Sequence, residues 1–104
     1  MIYELRTYAL KPESAADAMA LYQAEAWPEL SKWSQNLVGY FITEIGPLHQ
    51  IVHLWKFENH DARDHQWTTL RAQPGFAAFG KKLRPMLLSQ ENKIMKAAPW
   101  GPHP

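Results

Sequence analysis

The chain has 104 residues, of which 46% are hydrophobic and 12% aromatic, enough for the core of one domain but not of two. The 11 basic and 10 acidic side chains are interspersed and give a formal charge of +1, so neither nucleic acid nor a membrane surface is an expected partner. The absence of cysteine excludes disulfides, thiolate nucleophiles and zinc–thiolate sites. No secretory signal or long apolar run is evident, and we expect a soluble cytoplasmic protein.

A strand and a long helix are predicted first. Residues Ile2 to Leu10 alternate β-forming with polar residues and end before Pro12, whose fixed φ suits the start of a helix. From Glu13 to Trp33 apolar residues recur at helical spacing. A bend is expected near Pro28, because proline cannot donate the helical hydrogen bond.

A β-hairpin is predicted next. Residues 37–45 and 50–58 are rich in β-branched and aromatic residues, and residues 46–49 between them form a turn-like link. If Gly46 opposes His49, alternate residues of the two strands share a face, and both faces are largely apolar. One face carries Tyr40, Ile42, Glu44, Ile51, His53, Trp55 and Phe57. The other carries Phe41, Thr43, Ile45, Val52, Leu54 and Lys56.

The last third predicts a second helical segment, a strand and an arm. Asn59 or Asp61 can cap the helix, which Pro74 interrupts and restarts. Residues 88–96 predict the last strand, and the Pro-rich residues 98–104 predict an extended C-terminal arm. The element order indicates one α+β domain over residues 1–97, of the ferredoxin-like βαββαβ type with an antiparallel sheet.

The apolar character of both sheet faces predicts a homodimer. Two helices cover only one face, and an antiparallel sheet with a solvated face normally alternates apolar and polar residues. An uncovered patch of Tyr40, Ile42, Trp55 and Phe57 would favour association with a second copy. The alternative is that the helix after Pro74 or the arm folds over this face, and the pattern does not decide which face meets the partner.

A polar row lies on the first strand, at the centre of the predicted sheet. Glu4, Arg6 and Tyr8 are two residues apart and therefore share a face. With polar groups of neighbouring strands they could hold a carboxylate or enolate ligand in a partly buried cavity. Those neighbouring candidates are Glu44, His53 and Glu91. The alternative is that Glu4, Arg6 and Glu91 neutralise one another as buried structural charges.

His53 is the candidate for acid–base chemistry. It lies in the apolar run IVHLW, and a histidine titrates near neutrality. Tyr40, Glu44 and Arg6 are its candidate helpers, and no nucleophile with an adjacent base is evident. The alternative is that His53 is a packing residue.

No metal or nucleotide site is predicted. His49 and His53 are four residues apart in a strand, roughly 13 Å, too far to share one ion. The histidines and aspartates of residues 60–65 offer too few ligands on either side of a helix. The glycines form no phosphate-binding pattern.

Three strings of the sequence together resemble the NIPSNAP family: YELRTY at 3–8, VGYFITEIGPLHQIVHLWKFE at 38–58 and SQENKIMKAAP at 89–99. The resemblance implies the dimeric α/β barrel superfamily, in which two ferredoxin-like sheets pack face to face. That superfamily includes cofactor-independent monooxygenases, haem-degrading oxygenases and muconolactone-type isomerases. No catalytic residue carries over from the family, although the residues at its motif positions are Glu4, Arg6, Glu44, His53, Trp55, Gln90, Glu91 and Asn92. The chain has His49 where many members carry Asn, and Phe76 where an indole is common.

Two functional hypotheses follow, and both stay open on the sequence alone. The first is a small-molecule-binding dimer that acts without a cofactor, as an oxygenase or isomerase, on an anionic or aromatic compound. Its catalytic candidates are His53, to move a proton, and Arg6, to orient an anionic oxygen. Its candidate substrate-binding residues are Glu4, Tyr8, Tyr40, Glu44, Trp55 and Glu91. The second is a non-enzymatic interaction module whose dimer surface, edge strand or arm recruits another protein.

Overall fold

One antiparallel sheet organises the protein, for which a computed structural model describes all 104 residues. Its strand order is β2-β3-β1-β4, so that β1 lies between two neighbours as predicted. The strands are β1 (Ile2–Leu10), β2 (Leu37–Ile42), β3 (Gln50–Phe57) and β4 (Leu87–Met95). The predicted α+β, ferredoxin-like fold is confirmed. None of the helices is long and apolar enough to cross a bilayer.

The segment between β1 and β2 is helical but irregular. Its parts are a 3₁₀ turn (Pro12–Ser14), α1 (Ala15–Leu21), a π-helix (Tyr22–Ala26), α2 (Trp27–Leu30) and a 3₁₀-helix (Ser31–Asn36). In the π-helix, the Trp27 N–H donates to the Tyr22 carbonyl. This wider turn comes immediately before Pro28, whose missing N–H interrupts the α-helical ladder. The sequence predicts a bend near Pro28, and the structure has a π-helix just before this proline.

The second helical segment follows its predicted signals. α3 (His60–Ala72) begins at Asn59, whose side-chain oxygen accepts a hydrogen bond of 2.9 Å from the Ala62 N–H. Gln73 is extended because it precedes a proline, and α4 (Pro74–Leu83) begins at that proline. The predicted cap and the interruption at Pro74 are both confirmed.

The hairpin differs from the prediction in its loop and register. β2 ends at Ile42, so the connection comprises residues 43–49 rather than 46–49. Ile42 pairs with Ile51 and Tyr40 with His53, a register shift of two residues that leaves each side chain on its predicted face. Thr43 closes the loop, because its side-chain oxygen accepts a hydrogen bond of 3.1 Å from the Gln50 N–H.

The helices cover the sheet face that carries the polar row of β1 and the large aromatic side chains of β3. Trp55 is 0% and Phe57 1% exposed. Their rings lie 5.2 and 6.4 Å from the Trp67 ring of α3. Tyr40 packs against the same core, and Ile42 at the sheet edge is exposed. The expectation that these four residues form an uncovered patch is wrong, because the helices pack on their face.

The opposite face of the sheet, which we call the open face, has no helix against it. Its larger aliphatic and phenyl side chains, identified by strand pairing, are Leu5, Phe41, Val52, Leu54 and Met95, and the polar Thr7, Lys56, Glu91 and Lys93 lie among them. Phe41 is 60% exposed. Residues 96–104 form no helix or strand and fold back to one corner of this face, where the Tyr3 hydroxyl donates to the Pro104 carbonyl. The arm thus covers Tyr3 and leaves Phe41 accessible.

Candidate functional site

A cleft of about 370 Å³ opens between the helix-covered face of the sheet and helices α3 and α4. The strands contribute the polar side chains Arg6 and Tyr8 from β1, Tyr40 from β2, His53 from β3 and Gln90 from β4. Much of the remaining wall is apolar, and its larger side chains are Leu30, Trp67, Phe76, Phe79, Leu83 and Leu87. A cleft of this size, with polar groups at one end of an apolar wall, is typical of small-molecule sites.

Glu4 lies beside the cleft, but both of its carboxylate oxygens already accept hydrogen bonds from other residues. It is 0% exposed, and Arg63 of α3 donates to both of its oxygens, at 3.0 Å to Oε1 and 2.8 Å to Oε2. The Trp67 indole N–H donates to Oε1 at 2.8 Å and the Asn92 amide to Oε2 at 2.9 Å. Burial raises the pKa of this carboxyl, but the hydrogen bonds and the Arg6 charge outweigh burial and hold the pKa below its usual value. Glu4 is therefore a buried, ionised structural group.

Arg6 connects this buried cluster to the cleft. Its Nε donates to the Tyr8 hydroxyl at 2.8 Å, and its Nη1 lies 3.4 Å from Glu4 Oε2. Its guanidinium carbon lies 4.4 Å from the centroid of the Trp67 ring, a cation–π contact. These contacts involve Nε and Nη1, so Nη2 can donate to a ligand.

His53 is 2% exposed and held by aromatic neighbours. Its ring stacks on Tyr40 at a centroid distance of 4.3 Å and meets Tyr8 edge-on at 5.1 Å. Its Nδ1 accepts a hydrogen bond of 2.6 Å from the Trp55 indole, whereas its Nε2 has no partner in the protein. Burial, assisted by the Arg6 charge, lowers the pKa of His53 to about 3. The imidazole is therefore neutral at physiological pH, contrary to the expectation that it titrates near neutrality.

Buried tyrosines and exposed cations complete the lining. Burial raises the pKa of Tyr8, Tyr22 and Tyr40, so their hydroxyls are neutral. The charged side chains that line the cleft are all cationic, and they are Arg6, Arg71, Lys81 and Arg84. With no carboxylate among the lining residues, the electrostatic field in the cleft favours an anion.

The structure brings some of the predicted site residues together and separates others. Arg6, Tyr8, Tyr40 and His53 line the cleft, while Glu4 and Trp55 lie behind them as hydrogen-bond partners. Two predicted substrate-binding residues lie elsewhere. Glu44 is exposed in the connection after β2, because that strand ends earlier than predicted. Glu91 is opposite Thr7 on β1 and so belongs to the open face. Neither carboxylate reaches the cleft.

Several residues around the site were not identified from the sequence. Arg63 had a detectable signal, because a glutamate on a central strand needs a basic partner. That partner is in the segment of residues 60–65, whose aspartates and histidines indicate a helix cap or metal ligands more directly than an ion pair with β1. Arg71 and Lys81 lie near helix C-termini, where basic residues are favoured by the helix dipole alone, so their position gave no distinct signal.

Comparison with known proteins gives a consistent family signal. The sequence model of the NIPSNAP family matches residues 3–102. Protein NipSnap homolog 2 of Mus musculus is 32% identical over 98 residues, which are 90% of this chain and 34% of the mouse protein. A putative NipSnap protein of Caenorhabditis elegans is 26% identical over 97 residues, 90% of this chain and 18% of the worm protein. The chain thus spans about a third or less of the length of these curated relatives.

Solved structures of NIPSNAP proteins are similar to this chain over nearly its whole length. Protein Atu4242 of Agrobacterium tumefaciens is 38% identical, with a TM-score of 0.87 and 98% of each chain covered. A NIPSNAP family protein of the same bacterium, Atu5224, is 30% identical with a TM-score of 0.88, covering 97% of this chain and 96% of that one. An antibiotic biosynthesis monooxygenase has a TM-score of 0.69 at 16% identity, covering 95% of this chain and 100% of that one. At that identity the likeness concerns the fold alone.

Proposed function

The chain belongs to the NIPSNAP family, and from this starting point we propose that it is a homodimeric protein that binds a small anionic, aromatic compound in its cleft. The observation that carries the proposal is the lining of the cleft, which combines cationic side chains and aromatic walls and has no carboxylate. The unused donors of Arg6 and His53 support it, because they supply hydrogen bonds that an anionic oxygen accepts.

The shape of the ligand follows from the walls. Trp67, Phe76 and Phe79 provide apolar and aromatic surface on the helix side, against which a flat ring packs. The rim cations Arg71, Lys81 and Arg84 raise the local concentration of an anion before it enters. The polar end of the ligand then meets Arg6 in the interior, where the low dielectric strengthens the interaction.

The open face is the proposed contact between two copies. A sheet of four strands, each about eight residues long, measures roughly 19 by 26 Å. Two such faces packed together would bury about 1,000 Å² in total, which is close to the smallest area of a stable specific interface. The central strands place Leu5, Val52 and Leu54 on this face beside Thr7 and Lys56, so its centre is more apolar than a fully solvated face would be. The arm covers only the corner at Tyr3.

An enzymatic role, as a cofactor-independent oxygenase or isomerase, is the second candidate. The fold likeness to an antibiotic biosynthesis monooxygenase permits it without assigning it. The specific observation in its favour is that the cationic Arg6 and the neutral His53 both line the cleft and each keeps an N–H that no protein group accepts, which would stabilise an enolate or phenolate.

Thermal unfolding with benzoate, salicylate and 2-naphthoate, against benzamide and benzylamine as neutral and cationic controls, tests the binding proposal. A ligand at 100 times its Kd stabilises the folded state by about 2.7 kcal/mol, which for this size of domain raises Tm by roughly 10 °C or more. We expect the anions to raise Tm in the wild type and not in Arg6→Met. Lys82→Met is the matched control, because Lys82 binds Glu25 and does not line the cleft. Equal shifts with benzamide, or no shift at all, would favour the interaction module.

Light scattering after size-exclusion chromatography tests the dimer. We expect the mass of two 12.0 kDa chains for the wild type and of one for Leu54→Glu. Ile45→Glu is the control, since Ile45 is an exposed apolar residue of the connection after β2. A monomeric wild type, or a dimeric Leu54→Glu protein, would contradict the proposed contact.

A further inference from the structure

His53 is held in one tautomer by Trp55. The two residues are two apart on β3 and therefore share a face, and both are buried from water. An indole N–H is only a donor, so the His53 Nδ1 that lies 2.6 Å from it must be the acceptor. In a neutral imidazole the proton then resides on Nε2.

The Nε2–H of His53 is a buried donor without a protein partner. Buried polar groups in native proteins are almost always hydrogen-bonded, so a donor left free beside a cleft indicates a ligand contact. Gln66 Nε2 is also unpaired, but Gln66 does not line the cleft and its Oε1 is bound by Asn36 at 2.9 Å. Of these two groups, only the imidazole is available to a ligand in the cleft.

Arg6 lies directly opposite His53 on the neighbouring strand. Side chains in such a pair have Cβ atoms about 5 Å apart, so their tips reach the same small volume. Both line the cleft, and both offer donors and no acceptor. We propose, building on the function proposed above, that Arg6 and the His53 Nε2–H together bind one ionised oxygen of a planar ligand, and that Trp55 is the positioning residue that keeps His53 a donor.

The ligand class is therefore narrower than an anion in general. The oxygen belongs to a carboxylate, phenolate or enolate conjugated with a flat ring, since the ring must lie along the aromatic wall while the oxygen reaches the two donors. His53 holds the proton throughout and does not remove one from the ligand. Its lowered pKa, from burial and the Arg6 charge, agrees with this role.

The tautomer is measured first, by long-range ¹H–¹⁵N NMR of the imidazoles in the ligand-free protein. We expect His53 to be the neutral Nε2–H form from about pH 5 to pH 8 in the wild type. In Trp55→Phe, which removes the indole N–H and keeps a ring, we expect an Nδ1–H population to appear. Trp67→Phe is the matched control, because its indole N–H serves Glu4 instead. A charged His53 at pH 6, or an Nδ1–H tautomer in the wild type, overturns the inference whether or not any ligand binds.

The ligand contact is measured next, by titrating benzoate and 2-naphthoate, both ionised at neutral pH. His53→Phe keeps a flat ring and removes the unpaired N–H, so we expect a Kd raised about 10-fold or more. The substitution also removes the acceptor of the buried Trp55 indole N–H, so the Tm of the ligand-free protein should fall, and Kd is measured on folded protein below that Tm. Trp55→Phe should raise Kd by a smaller factor. Wild-type binding with an unchanged Kd in His53→Phe would overturn the inference and leave the proposed function standing. Failure of every anion to bind the wild type would overturn the proposed function and this ligand contact together.

Discussion

Replacing Glu4 by Gln tests whether the buried carboxylate cluster stabilises the fold. Four donor atoms of Arg63, Trp67 and Asn92 lie 2.8 to 3.0 Å from the two oxygens. Gln keeps the shape but places an NH₂ group against donors, and it removes the charge from the remaining hydrogen bonds. Loss of two charge-assisted hydrogen bonds costs about 3 kcal/mol or more when their partners stay buried. Because the Arg63 side chain is 24% exposed and can turn to water, we expect a loss of about 2–3 kcal/mol.

Urea unfolding, followed by tryptophan fluorescence at one fixed protein concentration, measures this loss as a lower midpoint with an unchanged slope. The same loss corresponds to a fall in Tm of roughly 10–20 °C for a domain of this size. Glu44→Gln is the control, because Glu44 is exposed and carries the same chemical change. It should change the free energy of unfolding by less than about 0.5 kcal/mol. If Glu4→Gln were as stable as this control, the charge of the cluster would not stabilise the fold.

Three further outcomes follow from the same structure. Because the pKa of Glu4 is lower in the folded protein than in the unfolded chain, its stabilisation is present above the unfolded pKa of about 4.3 and is lost as the pH falls through the folded value. Urea midpoints below pH 4.3 should therefore fall more in the wild type than in Glu4→Gln. Asn59→Ala removes the cap of α3 and should cost about 1 kcal/mol in thermal unfolding, more than Asp61→Ala, which carries no cap bond. His49 has a φ of 60°, in the left-handed region that favours glycine, so His49→Gly should raise the free energy of unfolding by up to about 1 kcal/mol. A decrease would show that contacts of the His49 side chain stabilise the fold by more than its strained backbone destabilises it.

The strand boundaries show where local sequence is sufficient to predict the fold and where it is not. β1 has the predicted bounds because alternation, central position and Pro12 all agree. The predicted second strand extends three residues beyond the observed one because Thr43 and Ile45 are good β formers. In the structure β2 ends at Ile42, Thr43 bonds Gln50 at the start of the connection, and Ile45 is 90% exposed. Local propensity does not contain this tertiary context.

The site residues, too, differ in whether local sequence is sufficient to predict their position. The period of two groups Arg6 with Tyr8 on β1 and gives His53 a face of β3, and the structure brings all three to the cleft. The predicted place of Glu91 beside the polar row is wrong, because its face depends on how β4 registers with β1, and that register is set by tertiary packing. The positions of the rim cations depend on how α3 and α4 lie across the sheet, which no local pattern specifies.

In the polar row of β1, Glu4 has a structural role, whereas Arg6 is available to a ligand. Glu4 lies beneath α3, where Arg63 and Trp67 occupy both of its oxygens. Arg6, one step along the same face, meets that carboxylate on one side and the Tyr8 hydroxyl on the other. The buried carboxylate thereby fixes a guanidinium at the edge of the cleft that would otherwise be free to turn towards water. A change at Glu4 should accordingly weaken anion binding through Arg6 even though Glu4 itself contacts no ligand, and the Kd of benzoate measured on folded Glu4→Gln protein separates this effect from the loss of stability.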